Sequence, residues 1–114
     1  MSPTQRSLKL MRDRGLVCEV TEHWNSFAKI RKDLMGFCDV LALGQMPNGE
    51  FAAIAVQTTS ATNMAARVTK IRNEPKSEMW LKAGNKIEVH GWKQSQKDKK
   101  KLWHCTVKEI SLEI

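Results

Sequence analysis

Gly36-Phe37-Cys38-Asp39-Val40-Leu41-Ala42-Leu43, Met46-Pro47-Asn48-Gly49-Glu50 and Phe51-Ala52-Ala53-Ile54-Ala55-Val56-Gln57-Thr58-Thr59 form the stretch that decides the fold. Two apolar, β-prone runs flank a segment rich in turn formers, which is the pattern of a β-hairpin. A three-residue loop at Pro47-Asn48-Gly49 pairs Met46 with Glu50. Counting outward from that pair brings Asp39 opposite Gln57, and directly paired residues carry Cβ atoms roughly 5 Å apart. A carboxylate in an apolar strand costs free energy unless a metal ion or a cation compensates it. The hairpin therefore reads as a site as well as a core element. The bland alternatives are a loop cap or ion pair of Asp39 with Arg31 or Lys32, and ordinary sheet hydrogen bonding by Gln57.

Working outward, Ser2 and Pro3 supply an N-cap and first-turn proline for a helix that runs to Arg14 and stops at Gly15. Leu8 and Met11, joined by Leu10 or Thr4, are its expected buried face. Leu16 to His23 reads as a strand, and Trp24 to Met35 as a long basic connection into the hairpin. Beyond the hairpin, Ser60 is placed to cap a helix from about Ala61 to Asn73, with Ala61, Met64, Ala65, Val68 and Ile71 as its apolar stripe. Pro75 opens a short helix that packs through Met79, Trp80 and Leu81 and stops at Gly84. Lys86–Trp92 and Leu102–Ile110 are the last strands, joined by a basic loop from Lys93 to Lys101. The expected architecture is a single α/β domain over residues 1–114: a mixed central sheet flanked by helices, in the order α-β-β-β-α-(α)-β-β.

Nineteen Lys and Arg against 12 Asp and Glu leave a net charge of +7 over 114 residues. Such an excess favours a polyanionic partner, nucleic acid before anionic membrane. No apolar run approaches the ~20 residues that span a bilayer, and the N-terminus lacks the apolar core of a signal peptide, so a cytoplasmic protein is expected. Cys18, Cys38 and Cys105 show no CxxC spacing and are read as reduced, mostly buried thiols. A zinc site that mixes them with His23, His90 and His104 is disfavoured, because the neighbours His104 and Cys105 point to opposite faces of a strand.

The lysines of the 93–101 segment are expected to contact phosphates, with Lys97, Lys99, Lys100 and Lys101 foremost and Arg31 and Lys32 nearer the hairpin. Trp92 and Trp103 flank that segment and either pair across strands, the favoured reading, or stack on bases. No recognition helix or zinc finger is visible, so shape is the expected basis of recognition.

These elements resemble the PD-(D/E)XK nuclease superfamily, and within it small phage-encoded members and archaeal-type Holliday junction resolvases. The resemblance covers nearly the whole chain and implies a restriction-endonuclease-like fold. Asp39 matches the family's acid, and Gln57 the middle ligand of its E-x-K or Q-x-K motif. Thr58 follows, with a backbone carbonyl that faces the metal in the family pattern. Gln5 falls near the glutamate of resolvase-like members and would orient water or substrate, and Glu22 is a further acid near the same sheet edge. Thr59 occupies the usual lysine position, which leaves Arg67 or Lys70 to bring the missing positive charge. The resemblance implies Mg²⁺ (or Mn²⁺)-dependent hydrolysis of DNA phosphodiesters, branched or junction DNA included, by a homodimer acting in the host cytoplasm if phage-encoded. A catalytically silent module of the same fold that binds DNA or a host protein is the alternative. Amide ligands in place of carboxylates weaken Mg²⁺ binding, although substrate phosphates can add oxygen ligands.

Overall fold

The computed structural model describes residues 1–112, apart from the side chain of Lys97. The first element, α1 (Pro3–Asp13), shows why local sequence suffices for a helix end. Ser2 Oγ accepts from the Gln5 N–H at 3.2 Å, and Pro3 sits in the first turn. At the other end, Gly15 adopts φ 85°, its N–H reaches Arg12 O at 2.9 Å, and the Leu16 N–H reaches Met11 O at 3.2 Å. That pair of bonds is a Schellman motif, which needs a residue tolerant of left-handed φ.

β1 (Val17–Val20), β4 (Val40–Gln45), β5 (Phe51–Ser60), β6 (Lys86–Lys97) and β7 (Lys100–Ile110) form one mixed sheet in the spatial order β1-β4-β5-β6-β7. Only β5 and β6 are parallel, and the crossover between them carries a 3₁₀ turn (Ala61–Asn63), α2 (Met64–Arg72) and α3 (Pro75–Lys82). β2 (His23–Asn25) and β3 (Ile30–Lys32) make a separate two-stranded hairpin. The result is a single α/β domain with a five-stranded mixed sheet and three helices.

Strand alternation sorts the core into two layers. Leu8 and Met11 of α1 pack on Leu16, Cys18, Val40, Ala42, Met46, Ile54 and Val56. On the opposite face, Val68 and Ile71 of α2 pack with Phe37, Cys38, Ala55, Ile87, Val89 and Ile110, and Trp80 and Leu81 of α3 close the layer.

The central hairpin forms as its sequence indicates: Met46 N–H donates to Glu50 O at 2.7 Å, and Val40 pairs with Val56. Its first strand starts later than expected, at Val40 rather than Gly36. Met35 and Gly36 take left-handed φ of 57° and 82°, and Leu34 O accepts from the Phe37 and Cys38 N–H groups, so a tight turn precedes the strand.

Other boundaries also differ. The expected strand from Leu16 to His23 ends at Val20: the successive Thr21 and Glu22 N–H groups both turn to Asp39 O, at 2.8 and 3.4 Å, and the chain leaves the sheet. The Trp24 to Met35 connection is not a plain linker but contains the β2–β3 hairpin, so the element order is α-β-β-β-β-β-α-α-β-β. The basic 93–101 loop is also a hairpin: β6 and β7 pair as far as Lys97 and Lys100 around a two-residue turn. Asp98 and Lys99 both take positive φ, 52° and 65°, which is the geometry of a tight hairpin turn without the usual glycine.

Ser60 does not cap a helix; its hydroxyl meets Thr62 Oγ1 at 3.0 Å, and the first turn is 3₁₀. Ala65 is exposed rather than part of the stripe. Met79 faces solvent, and Ser77 takes the buried place on α3, donating to Ile71 O at 2.7 Å. The expected packing role of Trp80 holds: its Nε1–H donates to Lys86 O at 2.7 Å and its ring meets Phe37 edge-on at 6.3 Å.

The close approach of the crossover to β6 depends on Gly91. A Cβ there would overlap Sδ and Cγ of Met64 and lie 3.1 Å from Ala61 Cα. Gly91→Ala is expected to destabilise the fold by about 1–3 kcal/mol, read from the midpoint of urea unfolding.

Candidate active site

At the end of the sheet where β4 begins and β5 finishes, an open cleft of about 390 Å³ is lined by Thr4, Glu22, Arg31, Asp33, Asp39, Gln57, Thr58, Arg67 and Lys70, with Ser2 and Pro3 at its rim. The hairpin register puts the Asp39 and Gln57 side chains on one face, the face that α2 covers. Gln57 Nε2–H donates to Asp39 Oδ2 at 2.5 Å. The Thr58 backbone N–H donates to the same oxygen at 2.8 Å, and the Thr58 hydroxyl at 3.3 Å. The Gln57 amide has thus turned its nitrogen to the acid. Its Oε1 is the one buried side-chain nitrogen or oxygen among the described residues that has no hydrogen-bond partner.

Asp39 is only 4% exposed. Burial pushes its carboxyl up to about 6, and the nearby Asp33 and Glu22 charges add to this against the opposing bonds from Thr58 and Gln57. A carboxyl that holds its proton this tightly is ionised only at near-neutral pH, and a cation in the cleft would favour its charged form. Such combinations of cleft, burial and shifted acid cluster at functional sites.

Glu22 is held from two sides. Thr4 Oγ1 donates to its Oε1 at 2.9 Å, and Arg31 Nη1 approaches the same oxygen at 3.3 Å. Thr4 Oγ1 also lies 3.2 Å from Thr58 Oγ1, so α1 is tied to the end of β5. Thr4 thus occupies the place that the sequence reading assigns to Gln5. Gln5 is exposed and does not line the cleft. The signal for Thr4 is its spacing four residues before Leu8, which sets both on the buried face of α1.

Asp33 is the second residue missed, hidden in the run Arg31-Lys32-Asp33. Thr59 is buried beside the site on the same face of β5 as Gln57, and does not line the cleft. Three carboxylates line the cleft, yet no group of three His, Cys, Asp or Glu side chains close enough to hold a metal ion exists among the described residues.

The expected nucleic-acid contacts fall elsewhere around the same end of the sheet. β6 leaves its last partner on β5 at Trp92 and runs on to Lys97, so the β6–β7 hairpin projects by roughly 16 Å at ~3.3 Å per residue past the sheet body. Lys99, Lys100 and Lys101 stand exposed at its tip, whereas the Lys97 side chain lies outside the described residues. Lys32 is exposed on β3, opposite His23.

Trp92 and Trp103 do not pair directly, since Trp92 faces Cys105 and Trp103 faces Gln94. Both turn toward α1 instead: Trp92 Nε1–H donates to Ser7 Oγ at 2.9 Å, and the Arg6 guanidinium lies 3.7 Å over the Trp103 ring.

Ser7 belongs to a second polar cluster, buried between α1 and β6. Its hydroxyl lies 2.9 Å from His90 Nδ1, and His90 Nε2 lies 2.9 Å from Glu88 Oε1. Arg14 closes the chain with two bonds to Glu88, at 2.9 and 3.2 Å. One assignment satisfies every group: Trp92 donates to Ser7, Ser7 to His90 Nδ1, and His90 Nε2–H to Glu88. Burial pushes the Glu88 carboxyl up, but the His90 and Arg14 hydrogen bonds and the Arg14 charge outweigh it and bring it down to about 2. Ser7 and His90 are both fully buried, so this serine–histidine–glutamate array braces the fold and is closed to a substrate.

The three cysteines are free. Burial raises all three thiols, Cys105 to about 11, which makes them poor nucleophiles. No helix among the described residues is long and apolar enough to cross a membrane.

No family model, no curated protein sequence and no solved structure matches the chain.

Proposed function

We propose that the chain is a metal-dependent DNA endonuclease of the PD-(D/E)XK type, with the Asp39–Gln57 cleft as its active site. The observation that carries this reading is the pairing of a buried, hard-to-ionise Asp39 with the partnerless Oε1 of Gln57, in a cleft that Arg67 and Lys70 also line. The donors suit Mg²⁺ or Mn²⁺, since both oxygens are hard and one has no other bond to make. Asp39, Gln57 and the Thr58 carbonyl would hold the ion, which when bound supplies Lewis-acid polarisation of a phosphate oxygen.

The chain's own residues do the rest. Arg67 and Lys70 extend from α2 over the cleft, where cations stabilise the charge that gathers on a phosphoryl group in the transition state. Arg31, held by Glu22, lines the same cleft and adds a third cation for the phosphate. The basic β6–β7 tip, at the same end of the sheet, supplies salt-dependent contacts to the backbone.

A second reading has its own support. Thr59 stands where the family lysine would be, and the cleft acids do not gather into a three-donor group, as expected of a module that kept the fold for binding DNA or a host protein and lost catalysis. Incubating labelled four-way, flapped and linear DNA with Mg²⁺ or Mn²⁺ separates the two. Metal-dependent cleavage by the wild type that Asp39→Ala abolishes supports the enzyme; binding without cleavage supports the module. Dimerisation, which would present two clefts to two strands, is part of the same proposal and is read from the mass in solution.

A further inference from the structure

The β2–β3 arm exposes more apolar surface than its size warrants. Phe27 at its tip is 99% exposed, Trp24 is 58% exposed and Ile30 46%. The arm is nevertheless an ordered element: Asn25 Oδ1 accepts from the Phe27 and Ala28 N–H groups at 3.0 and 3.1 Å, and Lys29 completes the turn with φ 52°. From His23 to Lys32 it contains Lys29, Arg31 and Lys32 and no acidic residue. Register places Trp24 directly opposite Arg31, so the indole and the guanidinium share a face of the arm. Arg31 lines the cleft, and that face therefore borders the candidate active site.

Aromatic faces interleaved with cations are what an unpaired nucleic-acid strand requires. Its bases expose π-faces that stack, and its phosphates need neutralising. A blunt duplex keeps its bases stacked internally and would leave Phe27 and Trp24 without partners. An acid-free arm that carries three cations also has the charge complementarity that a polyanion demands.

We propose that the β2–β3 arm is a docking surface for unpaired nucleotides, with Trp24 and Phe27 stacking on bases while Lys29 and Arg31 meet the adjoining phosphates. This deepens the nuclease reading and rests on it for what happens in the cleft: the substrate class becomes DNA with a single-stranded segment at the cleavage site, such as a flap or an opened junction.

The test is binding by the full chain in EDTA, which excludes cleavage, measured by anisotropy of a labelled 15-nucleotide oligo-dT and of a blunt duplex of the same length. The expected result is that Trp24→Ala and Phe27→Ala each weaken oligo-dT binding roughly tenfold or more, as loss of a base stack does, and leave duplex binding unchanged. Phe27→Trp should retain the affinity. Because Phe27 has almost no contact with the protein, its removal leaves the fold intact, which circular dichroism verifies. Oligo-dT binding that neither alanine variant weakens overturns the proposal and leaves the arm to a protein partner; a wild type that does not bind oligo-dT overturns it as well. The nuclease reading fails separately, by arm-dependent binding without metal-dependent cleavage.

Discussion

Asp39→Asn is expected to stabilise the protein and, on the nuclease reading, to abolish cleavage. Burial makes the ionised carboxylate unfavourable, so the folded chain holds this proton more tightly than the unfolded chain. The Asp39 carboxyl moves from 3.8 to about 6, a gap equivalent to at most about 3 kcal/mol. The sign follows from linkage. The stability this group permits is greatest below about pH 3.8, declines as pH rises to about 6, and stays at its lower level above that.

An asparagine carries no charge to desolvate and keeps one oxygen for the bonds from Gln57 Nε2 and the Thr58 N–H. The variant should therefore gain about 1–3 kcal/mol at pH 7 and show no dependence on pH from this position. Chemical denaturation at pH 4, 5, 6 and 7 reads both. On the nuclease reading, cleavage by the same variant should fall roughly a thousandfold or more, because a metal centre supplies several kcal/mol of transition-state stabilisation. A protein that becomes more stable and less active on one substitution carries strain that its function requires. Unchanged or lower stability of Asp39→Asn at pH 7 would show that the buried charge is already compensated.

The second large effect lies in the brace. Glu88→Ala should destabilise the fold by about 2–4 kcal/mol, since the fully buried His90 loses its Nε2 partner and Arg14 loses two bonds. Arg14 reaches water along part of its length, which keeps the cost below that of a wholly buried pair.

The pH dependence has the opposite sign to that of Asp39. The Glu88 carboxyl falls from 4.5 to about 2, so its contribution is fully present above about pH 4.5 and is lost as pH drops through about 2. Together the two groups give wild-type stability a maximum in the mildly acidic range, rising from pH 6 toward 4 and falling below. Glu88→Gln should remove the acid-side fall, and Asp39→Asn the rise. Thermal melts from pH 2 to 7 of the three proteins resolve the two limbs. If the Glu88→Gln profile matches the wild type below pH 4, the ion pair contributes nothing to acid stability.

The candidate site was legible because it depends on counting. A turn at Pro47-Asn48-Gly49 and a side-chain period of two determine which residues face each other, and so the sequence itself pairs Asp39 with Gln57. Helix ends were legible for a similar reason, since Ser2, Pro3 and Gly15 act on backbone groups within five residues of themselves. What lay beyond the sequence involved partners distant along the chain. Thr4 took the place expected for Gln5 because the docking of α1 on β5 decides which of two adjacent residues meets Thr58. The 93–101 segment looked like a solvated lysine loop, and only pairing along the full length of β6 and β7 made it a hairpin.

The sequence alone therefore determined the central hairpin and its register, the capped first helix with its buried face, and the positive charge. Each of these is set by residues near one another or by composition. Tertiary structure alone decided that Ser7, Arg14, Glu88 and His90 meet, that the arm stands beside the cleft, and that Asp39 is buried deeply enough to resist ionisation. Those are properties of packed surfaces, where desolvation and hydrogen bonding depend on separate elements coming into contact, more than 70 residues apart in the case of the brace.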